Sequence, residues 1–556
     1  MATTALSSAP GTRLRAALLA LACLFAFLPG IATLPPVDRD EARFVQATKQ
    51  MLETGDYVDI RFQDEHRYKK PVGIYWLQSA AVKLTGGDAD SEIWRYRLVS
   101  AIAGAISVFA IASLGTFMFG PLAGLAAGLM LAGLFGLGFE ARLAKTDATL
   151  LAATLLAQGA LARFYLMTRT GQAVPARWWW TFWLALGVGI LIKGPVTPAI
   201  SLLTIAGVAL FDKDRAWLRA LRPGAGLLLM LAVVLPWLAA ITARSGIDFW
   251  NESLGRDFIG KVTSGQESHG APPGYYVLTY SLYMWPFGLL AILGGLKALN
   301  RFREPKMLFC IAWYVPFWIL VELTPTKLPH YLLPVYPAII LLGAWAFLTE
   351  QGRNVPLKRW QVWFSWLTAF GLAAVTLVFA AGSLAGPYAL AGDFVWLGIP
   401  AAFLALAAGW LASGYGRPEM GIARVTAAAA ASAATVGLLA GAVMPAITPM
   451  WLSPRIADRF EAARTCPDST LAAVDFHEPS LVFLAGTETR LTDIHGAAFH
   501  LAAPDGCGLA LIPEGNWAMV EGMMPPGMTI ESAGLIEGVN YSNGREMRLV
   551  LLRRTR

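Results

Sequence analysis

The residues best equipped for chemistry lie between Val37 and Trp76, VDRDEARFVQATKQMLETGDYVDIRFQDEHRYKKPVGIYW, the densest block of charge in a chain that is only 15% charged. An acid pair, Asp40-Glu41, is followed by Arg43, an amphipathic run, a Gly55-Asp56 turn, then Tyr68-Lys69-Lys70-Pro71 and Tyr75-Trp76. Acids at a helix N-terminus suit the macrodipole, which is the plain account of the pair. Their company in one loop points further: a carboxylate beside cations stays ionised, able to accept a proton or orient a hydroxyl. Lys69 and Lys70 could be an ordinary snorkelling belt. Such lysines gather on the cytoplasmic side, however, and on the outer side they suit a lipid phosphate or pyrophosphate.

Four later stretches carry the same kind of residue. Asp147 opens an apolar run after Thr146, where a helix cap and a membrane-edge functional charge are both open readings. Lys193-Gly194-Pro195 interrupts two apolar runs. The segment 244–274 brings Arg256, Lys261, Glu267 and His269 before an Ala-Pro-Pro-Gly turn. A lone histidine is more often structural, but with Lys261 it could line a polar cavity. Thr326-Lys327-Leu328-Pro329-His330-Tyr331 combines a point charge with an imidazole and a phenol, a set suited to an anion. There is no Walker loop, Rossmann fingerprint, HExxH or C-x-x-C, and potential metal ligands are scattered.

The elements that must position these residues are mostly membrane helices. The chain is 56% hydrophobic with mean hydropathy +0.53, and several windows of ~18 residues lack charge, enough to cross ~30 Å of hydrocarbon. Candidate spans are 16–34, 98–119, 121–139, 148–166, 178–192, 194–211, 224–243, 275–296, 307–321, 331–348, 361–383, 394–412 and 425–446, about 13 helices. The first reads as an uncleaved span rather than a signal peptide. A net charge of +7 then reflects basic cytoplasmic loops, not nucleic-acid binding. With a cytoplasmic N-terminus, alternation puts Arg169 and Arg177, Lys213 to Arg222, Lys297 to Lys306, and Arg353 to Arg359 inside. Every cluster named above falls outside, in loops such as 35–97 and 244–274.

After Ala446 the composition changes. Residues 447–556 alternate turn signals with short apolar runs (LAAVDF, SLVFLAG, GLALIP, MRLVLLR), which reads as a small α/β domain on the outer side. The fold class expected is therefore an all-α polytopic membrane domain, 1–446, with a C-terminal α/β domain, 447–556. Cys466 and Cys507 could form a disulfide in an oxidising compartment or remain two thiols.

In order and spacing, several of these pieces resemble the C-type, polyprenyl-phosphate-dependent integral membrane glycosyltransferases. They are Asp40-Glu41-x-Arg43, Gly55-Asp56-Tyr57, Tyr68-x-Lys70-Pro71 with Tyr75-Trp76, Asp147, Lys193-Gly194, Ser268-His269-x-Ala271-Pro272 with Tyr275-Tyr276, and Lys327-Leu328-Pro329-x-Tyr331. Within that group the chain is most like the bacterial aminoarabinose-to-lipid-A transferase branch, related to protein O-mannosyltransferases. The resemblance implies a monomeric bacterial inner-membrane enzyme with a periplasmic active site, moving a sugar from undecaprenyl phosphate to lipid A or another envelope acceptor. It implies catalytic roles for Asp40, Glu41 and Asp147, and a donor-phosphate grip from Lys70, Lys261, Lys327 and Tyr331. Arg43, Tyr68, Lys69, Lys193, His269 and His330 would line the substrate cavity. The branch usually carries glutamate before the lysine of its Phe-Glu-Lys-Pro motif, a residue implicated in metal or acceptor binding. Lys69 stands there, which argues against a divalent metal at that position and against assuming an aminoarabinose donor. A protein O-glycosyltransferase is the rival of the same fold. A lipid-linked sugar flippase is the rival of another class, and it predicts charge through the bilayer midplane and inverted repeats.

Overall fold

The computed structural model of the chain describes residues 11–253, 255, 260, 270–413 and 421–555. Helices occupy each apolar run. Among the described residues six are long and apolar enough to cross a membrane: Ile93–Phe119, Asp147–Arg169, Pro223–Ser245, Pro305–Leu323, Arg359–Ala391 and Ile422–Val443. Pro121–Ala132, Val196–Phe211, Gly288–Leu299, Tyr336–Leu348 and Gly398–Ala412 are shorter apolar helices. Two of the expected spans are interrupted. The run at 121–139 divides into Pro121–Ala132 and Phe135–Glu140, and that at 275–296 into Tyr275–Tyr283 and Gly288–Leu299. In the second, Pro286 supplies no backbone N–H to continue the ladder.

Close helix packing follows from small residues. A Cβ on Gly294 would stand 2.4 Å from the backbone nitrogen of Gly343, so Gly288–Leu299 and Tyr336–Leu348 meet backbone to backbone. Gly194 does a different task. Its φ of 62° and ψ of −139° suit glycine alone and turn the Ala176–Lys193 helix sharply into Val196–Phe211. Lys193 is thereby left at the tip of a helical hairpin.

The first long loop is folded. It contains the helix Asp40–Thr54, a two-stranded hairpin of β1 (Arg61–Phe62) and β2 (Glu65–His66), and the helix Gly73–Leu84. A Cβ on Gly73 would lie 2.7 Å from the carbonyl oxygen of Leu191. The start of that helix therefore sits directly on the segment leading to Lys193.

The tail forms one five-stranded sheet from β3 (Leu471–Val474), β4 (Arg490–Thr492), β5 (Leu509–Pro513), β6 (Thr529–Asn540) and β7 (Arg545–Thr555), in the order β4-β3-β5-β7-β6. β3 runs parallel to β4 and β5, while β7 is antiparallel to β5 and β6. Alternate residues feed two cores. Leu471, Ala473, Leu509, Leu511, Leu549 and Leu551 pack on the helix Leu452–Ala463, while Ala472, Val474, Ala510, Ile512, Val550 and Leu552 pack on the helix Ile494–Leu501. Burial of both faces explains why these strands read as continuous apolar runs. Cys466 and Cys507 form a disulfide with Cα atoms 5.5 Å apart. Of the apolar runs in the tail, SLVFLAG is not a strand but supplies the helix Pro479–Ala485.

Candidate active site

Asp40 and Glu41 open the helix Asp40–Thr54, and a turn of ~100° per residue sends them to different faces. Glu41 points inward and is fully buried with Arg97. Its Oε1 accepts from Arg97 Nε at 2.8 Å and from the Ala144 N–H at 2.7 Å. Its Oε2 accepts from Arg97 Nη2 at 2.8 Å and from the Val37 N–H at 2.9 Å. Arg97 spends its remaining donors on the carbonyls of Ile31, Leu34 and Pro35. A carboxylate so fully engaged has no free edge for a substrate. The catalytic role expected of Glu41 is therefore corrected to a structural one, tying the loop to the membrane helix Ile93–Phe119.

Asp40 is the opposite case. Its side chain is exposed, and no hydrogen bond or ion pair reaches its carboxylate from the described residues. It is nonetheless recessed among protein atoms. That burial pushes its pKa up, with Asp147 adding to the push, but Lys145 above all, then His330 and Arg67, more than offset the effect and hold Asp40 below the usual carboxylate range.

Opposite Asp40 lies a compact charged cluster drawn from four distant segments. Lys145 Nζ is 2.9 Å from Glu140 Oε2 and 3.9 Å from Asp147 Oδ2. Lys193 Nζ donates to Asp147 Oδ1 at 2.6 Å, and the Tyr283 hydroxyl donates to Glu140 Oε1 at 3.1 Å. His330 places Nε2 3.6 Å from Asp147 and Nδ1 3.9 Å from Glu140, too far for direct hydrogen bonds. Burial pushes the imidazole down to about 3, against the pull of Asp147. Burial likewise raises Glu140. Asp147 holds the first helical position after Thr146, whose side chain makes no capping bond, and its working partner is Lys193.

The sequence-derived residues divide accordingly. The structure brings together Asp40, Asp147, Lys193 and His330, with the Tyr331 ring 5.5 Å beneath the Lys193 ammonium. Lys69 and Lys70 are half-buried at the foot of the Gly73–Leu84 helix, and Lys70 Nζ donates to the Lys69 carbonyl at 2.9 Å. Arg43, one turn beyond Asp40, is half-buried. Lys327 is only 3% exposed, and its Nζ donates to the carbonyls of Ala271 and Thr324 at 2.8 and 2.6 Å, bracing a loop. Tyr68 is corrected. Its hydroxyl donates to Asp59 at 2.7 Å in a separate cavity of 400 Å³ lined by Asp56, Arg61, His66 and Arg244. Lys261 and His269 lie outside the described residues.

Sequence reasoning missed Glu140, Lys145, Arg67 and Tyr283. Glu140 and Lys145 could have been found, since charges between two apolar runs at a membrane edge are costly and default to function. Tyr283 sits inside an apolar run and gave no signal. The donor set also bears on the implied divalent metal. Among the described residues no group of three His, Cys, Asp or Glu could hold an ion, and Glu140 and Asp147 are already paired with two buried ammonium groups. These residues do not fit a divalent cation.

Comparison with known proteins agrees with this architecture. A family model described as dolichyl-phosphate-mannose-protein mannosyltransferase matches residues 69–239. The undecaprenyl phosphate-alpha-4-amino-4-deoxy-L-arabinose arabinosyl transferase of Yersinia pestis (strain Pestoides F) is 27% identical over 416 residues, covering 72% of this chain and 71% of that protein. Its namesake in Pectobacterium carotovorum is 28% identical over 355 residues, covering 62% and 60%. The crystal structure of ArnT from Cupriavidus metallidurans bound to undecaprenyl phosphate superposes with a TM-score of 0.74, at 19% identity and 98% coverage of both chains. The Archaeoglobus fulgidus oligosaccharyltransferase gives a TM-score of 0.52 at 12% identity, covering 94% of this chain and 70% of that one. These likenesses show the fold: a bundle of apolar helices followed by a C-terminal sheet, shared with the ArnT structure over nearly the whole of both chains. By sequence the chain is similar to the aminoarabinose transferases over 72% of its length.

Proposed function

We propose that this chain transfers a sugar from an undecaprenyl phosphate donor to lipid A on the periplasmic face of a bacterial inner membrane, acting as a monomer. The observation that carries this reading is the open Asp40 carboxylate, held ionised while the acids opposite it, Glu140 and Asp147, are paired with lysines. The similarity to arabinosyl transferases named for an undecaprenyl phosphate sugar supports the donor class. In this reading residues 1–446 form the transferase domain and 447–556 a periplasmic domain, with the N-terminus cytoplasmic. Basic loops on the opposite side support that orientation.

The acceptor oxygen attacks the anomeric carbon as the bond to the lipid phosphate breaks, which inverts the centre. Asp40 orients the acceptor and takes its proton where it has one. Negative charge develops on the departing phosphate and is met by Lys70, Lys261 and Tyr331, with Lys145 and Lys193 setting the field behind Asp40. Lys69 adds a cation where relatives of this branch carry an acid, which favours an anionic group on donor or acceptor.

The test is mass spectrometry of lipid A and envelope glycans from cells with the gene, without it, and with Asp40→Asn. Lipid A losing one sugar in both altered strains is the expected result. The mannosyltransferase family match favours a protein acceptor as the second reading; unchanged lipid A with lost protein glycans would establish it instead.

A further inference from the structure

We propose that the C-terminal domain is a working part of the transfer site, and that Asp38 is the positioning residue through which it sets Asp40. The inference rests on Asp40 being the reacting carboxylate. Two residues before Asp40, the Asp38 carboxylate is buried against the tail. Its Oδ1 accepts from the Ser480 N–H at 2.8 Å, and its Oδ2 accepts from the Ser480 hydroxyl at 2.7 Å and the Tyr541 hydroxyl at 3.4 Å. The Asp38 N–H in turn donates to the Tyr541 oxygen at 2.8 Å. Next to it, Arg39 Nη2 donates to the Ser542 carbonyl at 3.2 Å.

The contact is closed and specific. Ser480 is 1% exposed, the Tyr541 ring meets Trp451 edge-on at 5.6 Å, and the crevice left between the two parts is only 10 Å³, about the space of one water. Among the described residues no cation forms an ion pair with Asp38, and the like-charged Glu478 acts on it unfavourably. An ionised carboxylate is costly to bury without directional donors. Here nearly all of those donors come from the tail, so the tail decides where Asp38 sits.

The placement of Asp40 gives this consequence. On its far side Glu41 is locked to Arg97 and to the Ala144 N–H; on its near side Asp38 is locked to Ser480 and Tyr541. Asp40 hangs between two buried anchors, one in the membrane bundle and one in the C-terminal domain. Only two peptide units separate Asp38 from Asp40, so a shift of the tail reaches Asp40 directly. A misplacement of ~1 Å at a reacting group can cost ~100-fold in rate.

The test is turnover of an undecaprenyl phosphate sugar by the purified full chain, with thermal melting as a check on folding. Asp38→Ala should lower kcat by about 10- to 100-fold while KM for the donor moves by less than about twofold. Asp38→Asn, which keeps Oδ1 as acceptor for the Ser480 N–H, should recover most of kcat. Tyr541→Phe removes one hydroxyl on the far side of the contact and should lower kcat selectively. Combined with Asp38→Ala it should add nothing, because both break the same link. Full kcat in both single variants, or a change confined to KM, overturns the proposal. If Asp38→Ala fails to fold, Tyr541→Phe decides alone. An active Asp40→Asn enzyme would instead overturn the underlying reading, whatever the Asp38 variants do.

Discussion

Two charged clusters share the first long loop's side of the molecule, and they are built on opposite plans. Around Asp59 the partners are mostly local: Arg61 Nε at 2.8 Å, His66 Nδ1 at 3.3 Å and the Tyr68 hydroxyl at 2.7 Å, with Arg244 reaching Asp56 from a membrane helix. Around Asp147 the partners come from 140–147, 193, 283 and 330, and their charges are nearly dry. In both, a buried tyrosine donates to a carboxylate. The second faces Asp40, an acid recessed among protein atoms and held ionised by the neighbouring Lys145. A turn can assemble the first pattern by itself, whereas the second exists only when several helices are packed, and that is the kind of site in which a fixed field is worth most.

The contrast can be broken experimentally. Asp40→Asn keeps the shape and removes the charge, so turnover should fall by ~100-fold or more with an unchanged melting temperature; near-normal turnover would move the chemistry elsewhere. Glu41→Ala should do the reverse in kind. It leaves Arg97 buried without its counter-charge, a loss of ~3–5 kcal/mol, visible as a lower melting temperature and poor yield before any effect on chemistry. Tyr68→Phe removes the hydroxyl that bonds both Asp59 and His66 and should cost about 2 kcal/mol with turnover within about twofold. If it were as damaging as Asp40→Asn, the two clusters would be one site.

The smallest effect is expected from pH. Asp40 lies below its ordinary value of about 3.9, so it stays ionised down to that range and activity dependent on it is lost only as pH falls further. Turnover should therefore be flat from pH 5 to 8 as far as Asp40 is concerned. Burial pushes Asp38 up to about 6, in the other direction. Since neutral Asn is expected to serve at position 38, protonation of Asp38 in that range should leave turnover within about twofold; a steep acid limb near 6 in the unaltered chain would count against the Asn prediction.

Much of the fold was legible because apolar runs in lipid declare themselves by length, and the tail strands by turn signals at short spacing. Side-chain direction was harder to read. Asp40 and Glu41 are adjacent and chemically alike, yet helical rotation alone sends one toward the Lys145 cluster and the other to Arg97. Tyr68 was misassigned for a similar reason: the loop turns between it and Lys70. The helix Gly73–Leu84 went unnoticed because its apolar face meets a neighbouring helix rather than lipid. Pairings such as Lys145 with Glu140 needed the packed bundle to become visible.

The Cys466–Cys507 bond closes a ring around β3, the helix Pro479–Ala485, β4 and the helix Ile494–Leu501. A protease that nicks any loop within that ring leaves two fragments travelling as one band until a reductant is added. Thiols oxidise durably in the periplasm and not in the cytosol, so the oxidation state of this pair in cells would report the side of the membrane on which the tail matures. Alkylation before and after reduction would read it directly.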